Sequence, residues 1–182
     1  MFAFEWSKYF MISSFLYRIA YCCIIKLYKM LLEAKKGGFD KMNYQRFGQK
    51  VVMKLAIGEG IKESLISLAE KENIRAAEVT GIGAVDRVDL AFYHLNTQNY
   101  ENHQIEEEFE VLSLIGNLTM NQGKYHPHLH IVLGRKDLST IGGHLNEAYT
   151  SVTMEITVTI LEGVIERSLD ETVGLDLMNF DY

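Results

Sequence analysis

The stretch "SVTMEITVTIL", residues 151–161, decides the fold of this 182-residue chain. Apolar side chains alternate in it with serine, threonine and glutamate. Because successive strand residues point to opposite faces of a sheet, this alternation predicts a strand with one buried and one polar face. The predicted buried face carries Val152, Met154, Ile156, Val158 and Ile160.

Outward from this strand, most of the chain has strand composition. Segments rich in β-branched and aromatic residues predict further strands, and polar or glycine-bearing segments between them predict turns. An amphipathic pattern at residues 61–73 predicts one helix. A helix between two strands permits a parallel crossover but does not require one. The predicted strands are 48–57, 74–85, 87–95, 107–120, 125–136 and 150–163, and the predicted turns are 96–104, 121–123 and 135–143.

Composition and charge restrict the class of protein. The chain is 48% hydrophobic and 23% charged, which indicates a globular domain of ordinary size. Residues 42–182 contain eleven basic and twenty-one acidic residues, a net charge of −10. An acidic body repels phosphates, so the charge does not support nucleic-acid binding. Cys22 and Cys23 are the only cysteines, which fits a reducing cytoplasm.

The first 41 residues differ from the rest and form a separate segment in this interpretation. They are apolar, aromatic and basic, with a net charge of +4. We weigh three hypotheses for them: an upstream extension of a domain that begins at Met42, an interfacial or anchoring helix, and a buried structural helix. The most membrane-like stretch is residues 9–25, but it is short for a span and Arg18 lies near its middle. We expect a cytoplasmic protein, and we expect membrane association, through residues 9–25, only if the first 41 residues are part of the expressed protein.

A histidine motif is the strongest chemical signal in the chain. "HPHLH" at 126–130 places His126, His128 and His130 on one face of a strand, and "IGGHL" adds His144. A hairpin that returns through 140–145 would bring His144 near His128 and His130, and three neutral imidazoles with an open fourth position suit Zn²⁺. The alternative is an exposed strand whose histidines bind nothing. Pro127 indicates a strand edge, a bulge or a strand start, and we interpret His94 and His103 as surface or pairing residues.

Other catalytic signals are few. No serine lies in a G-x-S-x-G setting, and neither "GEGIKES" nor "GIGAVD" has the glycine spacing of a phosphate loop or a dinucleotide site. Glu147 follows His144 by three residues, so it is the candidate general base for a metal-bound water. It could equally cap a turn. The sequence therefore contains no complete catalytic constellation.

The order of motifs resembles the PPC domain, the "plants and prokaryotes conserved" domain. The likeness runs from about Met42 to Phe180 and rests on "EFEVLSLIGNL", "PHLHIVL", "IGGHL" and "TMEITVTILEG". It implies an α/β (α+β) fold, a largely antiparallel sheet with one or two packed helices, assembled as a homotrimer. It also implies a metal site, with zinc as the expected ion. Its ligands would be His128, His130 and His144, and His126 would be an extra ligand or a bystander.

The resemblance leaves three functions to weigh. The first is a trimeric, metal-holding assembly or regulatory module, which would have protein partners. The second is a metal-dependent enzyme that uses a histidine-bound water with Glu147 as base. The third is a DNA-binding trimer. Plant members of the family bind DNA through a separate Arg-Gly-Arg-Pro-like arm, and this chain has no such sequence.

Overall fold

A computed structural model describes residues 43–180 of the chain. Within that range the chain forms eight strands and one helix, which makes it mostly β-sheet with one short helix. The elements are β1 (Tyr44–Phe47), β2 (Lys50–Leu55), α1 (Ile61–Glu72), β3 (Ala77–His94), β4 (Asn99–Asn121), β5 (Lys124–Gly134), β6 (Thr140–Ile160), β7 (Glu166–Asp170) and β8 (Leu175–Asn179).

The strands form one largely antiparallel sheet that closes on itself. β3 pairs with β4 and β6, and β5 also pairs with β4 and β6, so these four strands complete a ring of pairings. β2 and β3 lie on either side of β6, and both run antiparallel to it. They therefore run in the same direction, and α1 makes the crossover between them that the sequence permits.

The core follows from the alternation in β6. Met154, Ile156 and Val158 are buried, as predicted, and they belong to one cluster with residues of β2, α1 and the strand ring. Val152 does not share their face, because its side chain is 67% exposed. Between the pairs Gly83↔Met154 and Val85↔Thr150, β3 advances by two residues while β6 spans four. This bulge turns Val152 outward.

The helix agrees closely with its prediction. It covers Ile61–Glu72 and buries Ile61, Leu65, Leu68 and Ala69. It ends where Asn73 adopts a left-handed conformation with φ of 52°, a common helix C-terminus.

The strand bounds differ from the prediction at β6, which begins at Thr140, so the turn predicted for 135–143 is wrong over residues 140–143. They also differ in the long β3–β4 hairpin. β3 is one strand through Ala77–His94, with an irregularity between Val85 and Arg87 where the prediction separates two strands. β4 begins at Asn99, so the turn predicted for 96–104 is wrong over its last six residues. Residues 99–104 are all exposed, and without a buried face they carry no alternation of apolar and polar residues.

No helix within residues 43–180 is long and apolar enough to cross a membrane. The hypotheses for the first 41 residues, including membrane contact through 9–25 and a domain start at Met42, lie outside the described residues.

Candidate metal centre

The hairpin of β5 and β6 brings three histidines together. His128 and His130 lie two residues apart on β5, and His130 is the direct cross-strand partner of His144 on β6. The ring centroids are 5.3 Å apart for His128 and His130, 5.1 Å for His128 and His144, and 5.5 Å for His130 and His144. One nitrogen from each ring lies within 4.8 Å of the others, so this histidine cluster could hold a metal ion.

The glycine pair before His144 lets the two strands approach. A Cβ on Gly142 would lie 2.4 Å from the carbonyl oxygen of Ile131, a distance that real side chains do not tolerate. Glycine at this position therefore sets the register that places His144 opposite His130. The close approach predicted for Gly142 and Gly143 is confirmed.

Pro127 lies where β5 is an edge. β5 pairs with β4 along its length, but it pairs with β6 only from His130 to Gly134. Within the described chain, residues 124–129 therefore have no strand on their other side, and a residue without an N–H is tolerated there. The edge interpretation of Pro127 is confirmed, and His126 and His128 lie on the same open edge.

The surroundings of the histidine cluster keep two of its rings, those of His128 and His144, neutral. The pKa of His128 is lowered to about 4, first by burial and then by the positive charge of Arg167. The pKa of His144 is also lowered to about 4, first by burial and then by the other two histidines and Lys62. Neutral imidazole is the form that binds a metal, so at pH 7 both rings are ready to act as ligands.

His126 is not part of the group whose ligand atoms converge. Its backbone carbonyl accepts a hydrogen bond of 3.2 Å from the Thr119 hydroxyl. Its pKa is lowered, first by burial and then by the charges of Arg167 and Lys62. It is thus a neighbour of the cluster in this structure, and a role as an extra ligand stays a prediction.

Glu147 binds the start of the helix. Its carboxylate accepts hydrogen bonds from the backbone N–H groups of Lys62 at 2.8 Å and Glu63 at 3.2 Å, and from Ala148 at 2.9 Å. The helix has no side-chain cap of its own at Gly60. Glu147 therefore caps α1 from β6 and places a negative charge at the positive end of the helix. These bonds favour the capping alternative, and the role of general base stays a prediction.

Arg167 is a neighbour of the cluster that sequence reasoning missed. It lies on β7, beside the end of β4, and only 8% of it is exposed. Its Nε donates to Thr119 Oγ1 at 2.8 Å, one terminal nitrogen donates to the Asp176 carbonyl at 2.8 Å, and the other donates to Asn117 Oδ1 at 3.0 Å. That second nitrogen also lies 3.5 Å from Nδ1 of His128. An arginine in a polar tail segment gives no sequence signal for such a position.

Tyr100 borders the cluster from the β3–β4 hairpin. Its ring centroid is 5.2 Å from that of His144 and 4.9 Å from that of Tyr93. The Tyr93 hydroxyl donates a hydrogen bond to the carbonyl of Val173, in the turn between β7 and β8. The two tyrosines thus link the hairpin and the C-terminal strands beside the cluster.

The chain matches a known family over most of its length. Residues 42–162 match the model of the Plants and Prokaryotes Conserved (PCC) domain. The search of curated proteins found no match. Of the solved structures, a protein from Bacteroides thetaiotaomicron called a "putative DNA-binding protein" is 27% identical, with a TM-score of 0.75. That match covers 78% of this chain and 99% of that one.

Two further structures are similar. A "metal-containing protein" from Archaeoglobus fulgidus is 27% identical with a TM-score of 0.68, and the match covers 78% of this chain and 100% of that chain. A plant- and prokaryote-conserved (PPC) protein from Pyrococcus horikoshii is 24% identical with a TM-score of 0.68, covering 79% of this chain and 97% of that chain. The predicted resemblance is confirmed, together with the α+β architecture. The family model ends before β7, which carries Arg167.

Proposed function

We propose that this chain, which belongs to the Plants and Prokaryotes Conserved domain family, holds one metal ion per chain and serves as an assembly or regulatory module. The observation that carries the proposal is the convergence of His128, His130 and His144 within 4.8 Å. Zinc is the expected ion, because it accepts three imidazoles and leaves a fourth position open. The relative from Archaeoglobus fulgidus, called a metal-containing protein, supports it.

Metal analysis of the purified full chain tests the site. The protein is equilibrated with zinc sulfate, freed of unbound metal and measured beside a His128→Ala/His130→Ala variant. We expect about one zinc ion per wild-type chain and almost none in the variant, because one remaining imidazole does not hold the ion. Equal metal content in the two proteins would rule out the site.

The module assembles, in this proposal, as a homotrimer. Ile115 on β4 is the cross-strand partner of His130, and Val132 follows His130 by two residues on β5. Ile115 is 54% exposed and Val132 is 42% exposed. Further exposed apolar side chains lie on β3, β4 and β6, at Ile82, Leu112 and Val152. Exposed apolar side chains favour association, because identical copies would cover them.

Size-exclusion chromatography with light scattering tests the assembly. We expect three chains per particle at micromolar concentration and smaller particles for Ile115→Lys/Val132→Lys, which places charge on the apolar surface. Lys54→Gln, a change of charge at an exposed position of β2, should leave the wild-type mass unchanged. A monomeric wild-type protein would exclude the trimer.

DNA binding is the second candidate function, because the relative from Bacteroides thetaiotaomicron carries that description. The net charge of −10 over residues 42–182 opposes it. Fluorescence anisotropy with a labelled duplex at low salt separates the two functions. Binding that weakens steeply as salt is added would support the DNA candidate, and absence of binding at low salt would exclude it.

A further inference from the structure

Two cationic side chains lie beside the histidine cluster, and neither has an ion-pair partner among residues 43–180. Arg167 is one, with a terminal nitrogen 3.5 Å from Nδ1 of His128. Its close acceptors are a hydroxyl, a side-chain amide oxygen and a backbone carbonyl, all neutral. Within residues 43–180, no carboxylate comes within ion-pair distance of it. A buried charge normally has such a partner, so its absence here indicates a place for an anion.

Lys62 is the second cation. It lies in the first turn of α1, directly after the bridge between Gly60 and Tyr149 on β6, and it is half-buried. Its charge acts on His126, His128 and His144. The charge of Glu147 acts on Lys62, but the Glu147 carboxylate accepts from backbone N–H groups, and within residues 43–180 it makes no ion pair with the ammonium.

The acidic residues near the cluster do not pair with its two cations. Glu147 is one of these acids, and Asp176 is the other. The charge of Asp176 attracts Arg167, but its carboxylate accepts a hydrogen bond from Asn121. The permanent charges that act on the rings of His128 and His144 are positive: Arg167 and Lys62 act on His128, and Lys62 acts on His144. Three neutral imidazoles also leave the two charges of a bound Zn²⁺ uncompensated, because no carboxylate of the described residues joins the ligand group.

We propose that the open position at the metal takes the oxyanion of a small molecule, a carboxylate or a phosphate group, with Arg167 and Lys62 supplying positive charge beside it. Arg167 already donates to three neutral acceptors, so it contributes its positive charge beside the oxyanion, and Lys62 adds a second positive charge. His130, the most exposed of the three ligands, leaves the cluster open toward solvent. The inference rests on the proposed metal site and specifies what that site binds.

A cobalt-loaded full-length protein tests the inference, because Co²⁺ takes the ligands of Zn²⁺ and its visible absorption changes with the fourth ligand. Cobalt content is measured first. The protein is then titrated with sodium acetate and, separately, with inorganic phosphate, at an ionic strength held constant with sodium chloride. We expect a saturable change of the visible spectrum with at least one anion. The acetate and phosphate arms distinguish a carboxylate ligand from a phosphate ligand.

Lys62→Gln is the deciding variant, because the contacts of Lys62 to Glu147 use its backbone N–H, which glutamine keeps. We expect unchanged cobalt content and anion binding weakened about fivefold, as expected for the loss of one nearby charge. Lys54→Gln, with the same charge change on β2, should bind as the wild type does. Arg167→Gln, beside Arg75→Gln as its matched control, should weaken binding further if it folds.

The outcomes separate the two proposals. Wild-type protein that holds one cobalt per chain but shows no saturable spectral change with either anion would overturn the oxyanion inference and leave the metal site standing. Equal anion affinity in wild type, Lys62→Gln and Lys54→Gln would also overturn it. Wild-type protein that binds no cobalt would overturn the metal site, and the inference with it.

Discussion

Two groups of histidines lie on this sheet, and they differ in what surrounds them. The histidine cluster of His128, His130 and His144 sits where β5 meets β6, with two half-buried rings and two cations beside it. The hairpin histidines, His94 and His103, lie on the exposed half of the β3–β4 hairpin. One carboxylate, that of Glu101, contacts both of them, at 2.8 Å and 3.2 Å.

The difference between the groups follows from register and burial. The cluster has three rings whose nitrogen atoms converge, without a carboxylate among them. In the hairpin pair the carboxylate of Glu101 contacts Nε2 of each ring, and the side chains are about half exposed. The interpretation of His94 and His103 as surface or pairing residues is therefore confirmed. Whether histidines can converge on one metal ion thus depends on which strand positions pair, and the number of histidines alone does not decide it.

The largest expected effect separates the groups by metal affinity. His144→Ala should weaken zinc binding by at least about a hundredfold, because the site loses one of three ligands. His103→Ala, on the hairpin, should leave zinc affinity unchanged. Competition with a chromophoric chelator measures both. Equal affinity in the two variants would show that the metal does not use the cluster.

A second effect concerns acid stability of the metal-free protein. The pKa of His128 and His144 is about 4 when folded, against an ordinary value near 6.5. Between these values the unfolded chain binds protons that the folded chain does not, so stability falls as the pH falls through that window. After allowance for solvent near half-buried rings, we expect a loss of about 1 kcal/mol for each ring between pH 7 and 5.

Urea unfolding at one protein concentration, at pH 7 and at pH 5, measures this loss. In His128→Asn the difference in unfolding free energy between the two pH values should shrink. In His103→Asn it should match the wild type. If the wild-type protein is equally stable at both pH values, the folded rings are not held neutral.

The third effect tests the interaction of Glu147 with α1. Glu147→Ala removes the cap from the backbone N–H groups of Lys62 and Glu63, so we expect it to cost about 1 kcal/mol of stability. Glu155→Ala, an exposed glutamate on the same strand, is the matched control and should cost less. A Glu147→Ala variant of wild-type stability would argue against the cap.

The histidine hairpin was predictable because local patterns encode it. The alternation of Met154, Ile156 and Val158 identified β6, and the i, i+2 spacing of His128 and His130 placed both on one face. Gly142 and Gly143 indicated the close approach that puts His144 opposite His130. Each signal lies within a few residues of the structure that it predicts, so the sequence alone carries it.

Other features depend on contacts between distant segments, which sequence patterns do not encode. Arg167 reaches Thr119 and Asn117 only because β7 adds to the end of β4. Glu147 caps a helix that begins some eighty residues earlier, across a bridge to β6. β1, β7 and β8 are short strands of four to five residues, too short for a clear alternation. The sequence therefore predicted the histidine cluster and missed the charges around it.

The smallest expected effect belongs to the hairpin histidines. Glu101→Gln removes the carboxylate that contacts both rings, but all three side chains are about half exposed. Exposed ion pairs contribute little, because water solvates the separated charges nearly as well. We expect the free energy of unfolding to change no more than it does in an exposed control. Urea unfolding measures it beside Glu106→Gln, an exposed glutamate on the same strand. A loss several times larger than that of Glu106→Gln would mean that the contacts of Glu101 with His94 and His103 stabilise the fold although they are exposed. Exposure would then not distinguish the hairpin histidines from the histidine cluster.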